Sequence, residues 1–197
     1  MIYRIEEMEH AKTTIDEYDE IIASCRLLFE KKMHDYGSSW RVLRTPSLTD
    51  QLYIKALRIR TVETNGVMQV DEGIEECFTA LVNYGLMGII QIDKGISDEA
   101  DITCGQALTL YDRAACDTRH LMQQKNHDYG EAWRSMRISS FTDIILQKLL
   151  RTKMIEDNKG KTLVSEGIKA NYQDIVNYAI FALIRISEEN GQTTTNQ

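Results

Sequence analysis

KMHDYGSSWRVLR, residues Lys32 to Arg44, recurs as KNHDYGEAWRSMR, residues Lys125 to Arg137, an offset of 93 (125 − 32). The same register pairs Asp50 with Asp143, Lys55 with Lys148 and Arg58 with Arg151. One residue is inserted near Lys159, and the offset then becomes 94 (164 − 70). VDEGIEECFTALVNYGLMGIIQI (Val70 to Ile92) matches VSEGIKANYQDIVNYAIFALIRI (Val164 to Ile186). Self-similarity on this scale marks one unit built twice. Each copy is roughly ninety residues, a size at which a small helical domain folds. The chain divides into a first repeat (1–93), a connector (94–104), a second repeat (105–188) and a polar tail (189–197) expected to be disordered.

Within each repeat the pattern is helical, and the fold class is all-α. Ile15, Ile22, Cys25, Leu28 and Phe29 recur near helical spacing and predict a first helix over about 14–34, ended by Gly37. Ser47-Leu-Thr-Asp50 resembles a capping box, which predicts the start of a second helix. Asn65-Gly66 ends that helix, and a third runs over about 71–92. In the second copy the same elements fall near 105–127, 141–156 and 164–188. Asp50 and Asp143 read as helix caps. Two equivalent three-helix units in one chain pack most naturally about a pseudo-twofold axis, as an isologous dimer does.

Composition narrows the function classes. The 197 residues carry 23 Lys+Arg against 30 Asp+Glu, a net charge of -7, which lacks the basic footprint of a duplex-binding module. The most apolar stretch, near Tyr84–Ile92, is too short to span a bilayer. Four scattered cysteines without a CxxC argue against a zinc site or disulfide framework and for a reducing, cytoplasmic setting. MIYRIEEMEHAK at the start is charged throughout and lacks the apolar core of a signal peptide.

Polar residues on the third helix are the first candidates for a site. At about 100° per residue, with Glu166 at zero, Asp174 falls near 80° and Asn177 near 20°. They share a stripe with Phe181 and Ile184. Buried polar groups need partners. Glu166 and Asp174 are candidate Mg²⁺ ligands, hard oxygens two turns apart. Alternatively Glu166 is a first-turn acid and Asn177 a core amide bonded to a neighbouring helix. The first repeat keeps Glu72, Asn83 and Tyr84 but has Ala80 in place of Asp174, so a metal site there would be degenerate.

The second candidate is the repeated K-x-H-D-Y-G-x-x-W-R-x-x-R itself. Gly37 and Gly130 are placed to end a helix in left-handed geometry. Lys125 and Asp128 lie three apart on one helix end, Tyr129 and Trp133 offer stacking surface, and Arg134 and Arg137 offer phosphate contacts. Lys148 and Arg151 form a second basic pair on the middle helix. His127 and Asp128 are candidate acid–base groups. Read without a ligand, the same motif is a helix cap whose tryptophan anchors the next loop. No P-loop, nucleophile elbow or Rossmann glycine pattern is present.

KNHDYGEAW followed by SEGI…QDIVNYA resembles the nucleotide modification associated domain 1 family, in two tandem copies covering nearly the whole chain. A more distant similarity is to the all-α nucleoside triphosphate pyrophosphatases of the MazG and dimeric dUTPase group, in which E-x-x-E and E-x-x-D helices hold Mg²⁺. This chain departs from them: FTDIILQKLLRTKMIED has no E-x-x-E and supplies Lys148 and Arg151 instead. The resemblance implies a Mg²⁺-dependent, pyrophosphohydrolase-like protein acting on a nucleotide or modified nucleotide. Glu166, Asp174 and Asp128 would then hold metal, Lys125, Lys148 and Arg151 meet phosphate, and Tyr129 or Trp133 pack on the base. Other readings are a non-catalytic nucleotide- or partner-binding module and a purely structural bundle; a homo-oligomer is open in each.

Overall fold

The computed structural model describes residues 12–195, with side chains through residue 191. Six α-helices carry the described fold: α1 (Thr14–Tyr36), α2 (Thr45–Asn65), α3 (Ile74–Lys94), α4 (Cys104–Tyr129), α5 (Ile138–Asp157) and α6 (Ile168–Thr195). A short 3-10 turn follows α1 (Ser39–Val42) and α4 (Ala132–Ser135). The all-α class and the duplicated three-helix unit are thus present in full. The opening segment, with its charged sequence, lies outside the described residues.

Capping explains where α1 and α4 begin. Thr13 accepts from the Asp16 backbone N–H, and the Asp16 carboxylate accepts from the Thr13 N–H, a complete capping box. Thr103 and Gln106 repeat it at α4. Both helices end at a glycine, Gly37 with φ 63 and ψ -155 and Gly130 with φ 62 and ψ -154. The φ is positive as expected, but ψ lies far from the left-handed helical well. Only glycine occupies that region without strain.

Four expectations are corrected. The Ser47–Asp50 capping box does not form: α2 starts at Thr45 with Arg44 as cap, because Pro46 fits the first turn, where its missing N–H costs nothing. Asp50 and Asp143 therefore sit inside α2 and α5 and cap nothing. α3 and α6 begin later than the pattern suggests, leaving Glu72 and Glu166 on the preceding segments. The polar end of the chain continues α6 as helix to Thr195, since extending a formed helix adds one hydrogen bond per residue fixed.

α3 lies against α6, α2 against α5 and α1 against α4, around one continuous core. At the α3–α6 crossing the backbones come close: a Cβ on Gly88 would meet the Tyr172 ring at 1.9 Å, and one on Gly85 would meet Val176 at 2.5 Å. The connection between repeats is folded down onto the first one. Ser97 N–H donates to the Arg41 carbonyl (3.0 Å), and Ser38 Oγ to that of Ile102 (2.9 Å). Asp101 meets the buried Arg41 guanidinium at 2.8 Å.

The pseudo-twofold relation is written in exchanged side chains. Tyr18 donates to Asn177 Oδ1 at 2.8 Å, and Tyr111 donates to Asn83 Oδ1 at 2.8 Å. Arg26 pairs with Asp112 and Arg119 with Asp19, each at 2.6 Å. Thr49 donates to Glu156 (2.7 Å) and Thr142 to Glu63 (2.9 Å). Asp50 pairs with Lys153 (2.7 Å) and Asp143 with Arg60 (3.6 Å). In every pair of contacts the partners swap repeats, as residues i and j do in an isologous dimer.

Candidate functional site

The repeated motif and the third helix of each half come together, but the two halves use them differently. In the second, Asp174 is 4% exposed and sits between two lysines. Lys125 Nζ donates to Oδ1 and Lys148 Nζ to Oδ2, each at 2.5 Å. Burial works against the Lys125 charge, yet the hydrogen bond and charge of Asp174 outweigh it and hold its pKa above the ordinary value. The mid-helix acid is thus satisfied by one lysine from the motif and one from α5.

Ala80 takes that position in the first half, and the two lysines share no partner there. Lys55 Nζ donates instead to Glu72 Oε1 at 2.6 Å. This bond, with the nearby charges of Lys55, Arg58 and Lys32, holds the Glu72 carboxyl below the usual carboxylate range. Lys32 makes no hydrogen bond or ion pair with the described residues. Beside it a cavity of about 670 Å³ opens, lined by Lys32, Lys55, Glu72 and Glu76 on its polar side. Tyr36, Tyr84, Phe29, Met33 and Met87 contribute apolar and aromatic wall, and Ala80 and Asn83 lie between. The volume is that of a small-molecule site. Three matching positions of the second half carry larger groups (Asp174 for Ala80, Gln173 for Thr79, Phe181 for Met87), while Phe29, Met33 and Glu76 are matched by the smaller Met122, Asn126 and Ala170.

The remaining candidates fall into place as follows. Asn177, like Asn83, is a core amide: it accepts from Tyr18 and donates Nδ2–H to the Thr118 carbonyl (3.3 Å), while Asn83 donates to that of Cys25 (3.2 Å). Trp133 is buried, stacked on Phe181 at 4.3 Å with Arg134 4.4 Å over its ring. Arg134 is held by Glu17, Glu131 and Glu188 and has no free fork for phosphate. Tyr129 is 77% exposed. His127 and Asp128 meet each other on the surface at 3.1 Å. Arg151 is half-buried on α5, and Glu166 is exposed ahead of α6.

Trp40 and Trp133 also differ. Trp40 Nε1–H donates to Met33 Sδ at 3.4 Å. The residue matching Met33 is Asn126, and both Asn126 Oδ1 and Trp133 Nε1 are buried without a partner. Among the described residues no group of three or more His, Cys, Asp or Glu lies together where it could hold a metal ion. None of the described helices is long and apolar enough to cross a membrane. The sequence reading passed over the first-half cavity, although Ala80 against Asp174 and Met87 against Phe181 were the signal for it.

Fold and site together define a duplicated all-α protein with an aromatic-walled cavity carrying two lysines and two glutamates in one repeat and a lysine–aspartate–lysine bridge in the other. The chain belongs to the family described as nucleotide modification associated domain 1, whose model matches residues 32–92 and 125–186. Each match begins at the motif lysine and ends in the last turns of the third helix. No curated protein and no solved structure matches the chain.

Proposed function

We propose that the protein binds a nucleotide in the cavity of the first repeat. The observation that carries this reading is the combination, in one space of about 670 Å³, of an unpaired Lys32, a second lysine and two tyrosines. A phosphate supplies the anion that the lysines face, and a base supplies a flat apolar surface for Tyr36 or Tyr84. The family's association with nucleotide modification supports the same ligand class.

Hydrolysis is the stronger form of the proposal. A Mg²⁺-dependent pyrophosphohydrolase using Glu166 and Asp174 requires Asp174 to exchange Lys125 and Lys148 for the ion. The cavity itself offers only Glu72, engaged by Lys55, and Glu76. That donor set does not fit a multi-metal centre, and the binding module is the reading we favour.

The test is equilibrium binding of a panel of ribo- and deoxynucleoside triphosphates and monophosphates, with Mg²⁺ and with EDTA, followed by chromatography of the products. Binding that survives EDTA, without turnover, is the expected result. Release of pyrophosphate only with Mg²⁺ would replace the module with the enzyme. Binding of no nucleotide under either condition would refute both.

A further inference from the structure

The two repeats are the same local architecture with and without one carboxylate, and that difference locates a subsite. In the second repeat the carboxylate is part of the chain: Asp174 gives one oxygen to Lys125 and the other to Lys148, each at 2.5 Å. In the first, the matching lysines are Lys32 and Lys55, and the matching residue, Ala80, is a methyl group on the cavity wall. We infer that a phosphate group of the ligand seats over Ala80 between Lys32 and Lys55, where Asp174 supplies the equivalent anion in the second repeat. Phosphate, like carboxylate, presents two oxygens to two donors, and charge-assisted bonds to both are the strong kind. This rests on the nucleotide reading for the rest of the ligand, but the seat itself needs only the anion.

Lys148 bonds Asp174, while Glu166, the match of Glu72, has no ion pair with the described residues. Without an aspartate, Lys55 turns to Glu72 at 2.6 Å. Arrival of the ligand's phosphate therefore transfers Lys55 from Glu72 to the phosphate and frees the Glu72 carboxylate at the cavity edge. Glu72 keeps the half-buried Lys55 ammonium paired.

The same comparison assigns a latent seat to the second repeat. Removing the Asp174 carboxylate leaves Lys125 and Lys148 facing a vacated anion position. Phe181, the larger match of Met87, remains stacked on Trp133 there. The latent seat thus takes a small anion and not a whole nucleotide.

The experiment is equilibrium dialysis of the full chain with labelled inorganic phosphate and, separately, with the best-bound nucleotide. Ala80→Asp places a carboxylate between Lys32 and Lys55 and is expected to weaken both ligands at least tenfold, roughly the loss of one good charge-assisted bond. Lys32→Gln, which removes one donor of the seat without adding bulk to it, is expected to weaken phosphate at least tenfold as well. Asp174→Ala is expected to raise phosphate binding from one site per chain to two while nucleotide stays at one. Circular dichroism of each variant checks that it folds, and Ala80→Asp carries the test if Asp174→Ala does not. Phosphate binding unchanged in Ala80→Asp or in Lys32→Gln, or one phosphate site in folded Asp174→Ala, would overturn the seat while leaving nucleotide binding intact. Phosphate binding sensitive to Ala80→Asp, without binding of any nucleotide, would keep the seat and remove the nucleotide reading. Absence of both ligands from the wild type would remove both.

Discussion

Tyr18→Phe removes one hydroxyl and nothing else, and its cost follows from where that hydroxyl points. Tyr18 is fully buried and donates to Asn177 Oδ1, which is itself in a residue only 5% exposed. Phenylalanine keeps the ring packing, so the change reads the hydrogen bond and the desolvated acceptor left behind. Asn177 keeps its bond to the Thr118 carbonyl through Nδ2 and cannot turn Oδ1 elsewhere without losing it. An orphaned buried acceptor costs about 1–3 kcal/mol. For a chain of this length, each kcal/mol lowers the melting midpoint by about 2–4 °C. Tyr111→Phe, the matching change against Asn83, is expected to cost the same, with its ring still stacked on Phe29 at 4.8 Å. The two bonds share no residue, so the double variant should lose the sum of the single losses, within about 0.5 kcal/mol. Urea unfolding followed by far-UV circular dichroism measures all three. Losses below about 0.5 kcal/mol for either single change, or a double no worse than one single, would refute the reciprocal anchoring of the two repeats.

Other expectations concern packing, a buried charge and pH. Gly88→Ala drives a methyl into the Tyr172 ring and should cost about 1–3 kcal/mol in the same unfolding assay. Asp101→Ala strips the connector's carboxylate from Arg41, which is 1% exposed, and should cost about 2–3 kcal/mol, more than neighbouring Asp98→Ala on the exposed part of the connector. Burial raises the Glu156 carboxyl above its ordinary pKa, against the Thr49 hydrogen bond that lowers it. A raised folded value means that the folded state takes up its proton first, so the penalty is present at neutral pH and disappears as pH falls through the folded pKa. Glu156→Gln should therefore stabilise at pH 7, by less than about 1 kcal/mol, with the advantage fading in acid; a pH series of melting curves checks the sign.

The repeat made much of this fold legible from the sequence. An offset of 93 between Lys32 and Lys125, becoming 94 between Asn83 and Asn177, settles that the helices of the first half recur in the second. Helicity followed from apolar spacing, and the glycines after each Asp-Tyr marked true helix ends. The start of α2 was misjudged because Ser47 and Asp50 match a capping pattern that Pro46, one residue earlier, had already pre-empted. Asp50 and Asp143 show the deeper difficulty: each pairs with a base in the other repeat, and no local pattern records a partner more than eighty residues away. The candidate site was legible to the same degree. Lysine, tyrosine and the third-helix aspartate were picked out by type, but only tertiary packing shows that two lysines neutralise Asp174. The cavity beside Ala80 was not legible, because a search for chemical groups passes over a position where a side chain is merely small.

The exchanged contacts carry one more consequence. Because Tyr18 completes Asn177 and Tyr111 completes Asn83, a single repeat on its own has an unfinished core and would have to find a second copy of itself. In such a homodimer every substitution is made twice, so an aspartate at one third-helix position would stand at both. Joining the copies through a connector releases them from that bond. One half can hold itself together with a lysine–aspartate–lysine bridge while the other keeps alanine at the same position. Fusion here is what makes asymmetry inheritable.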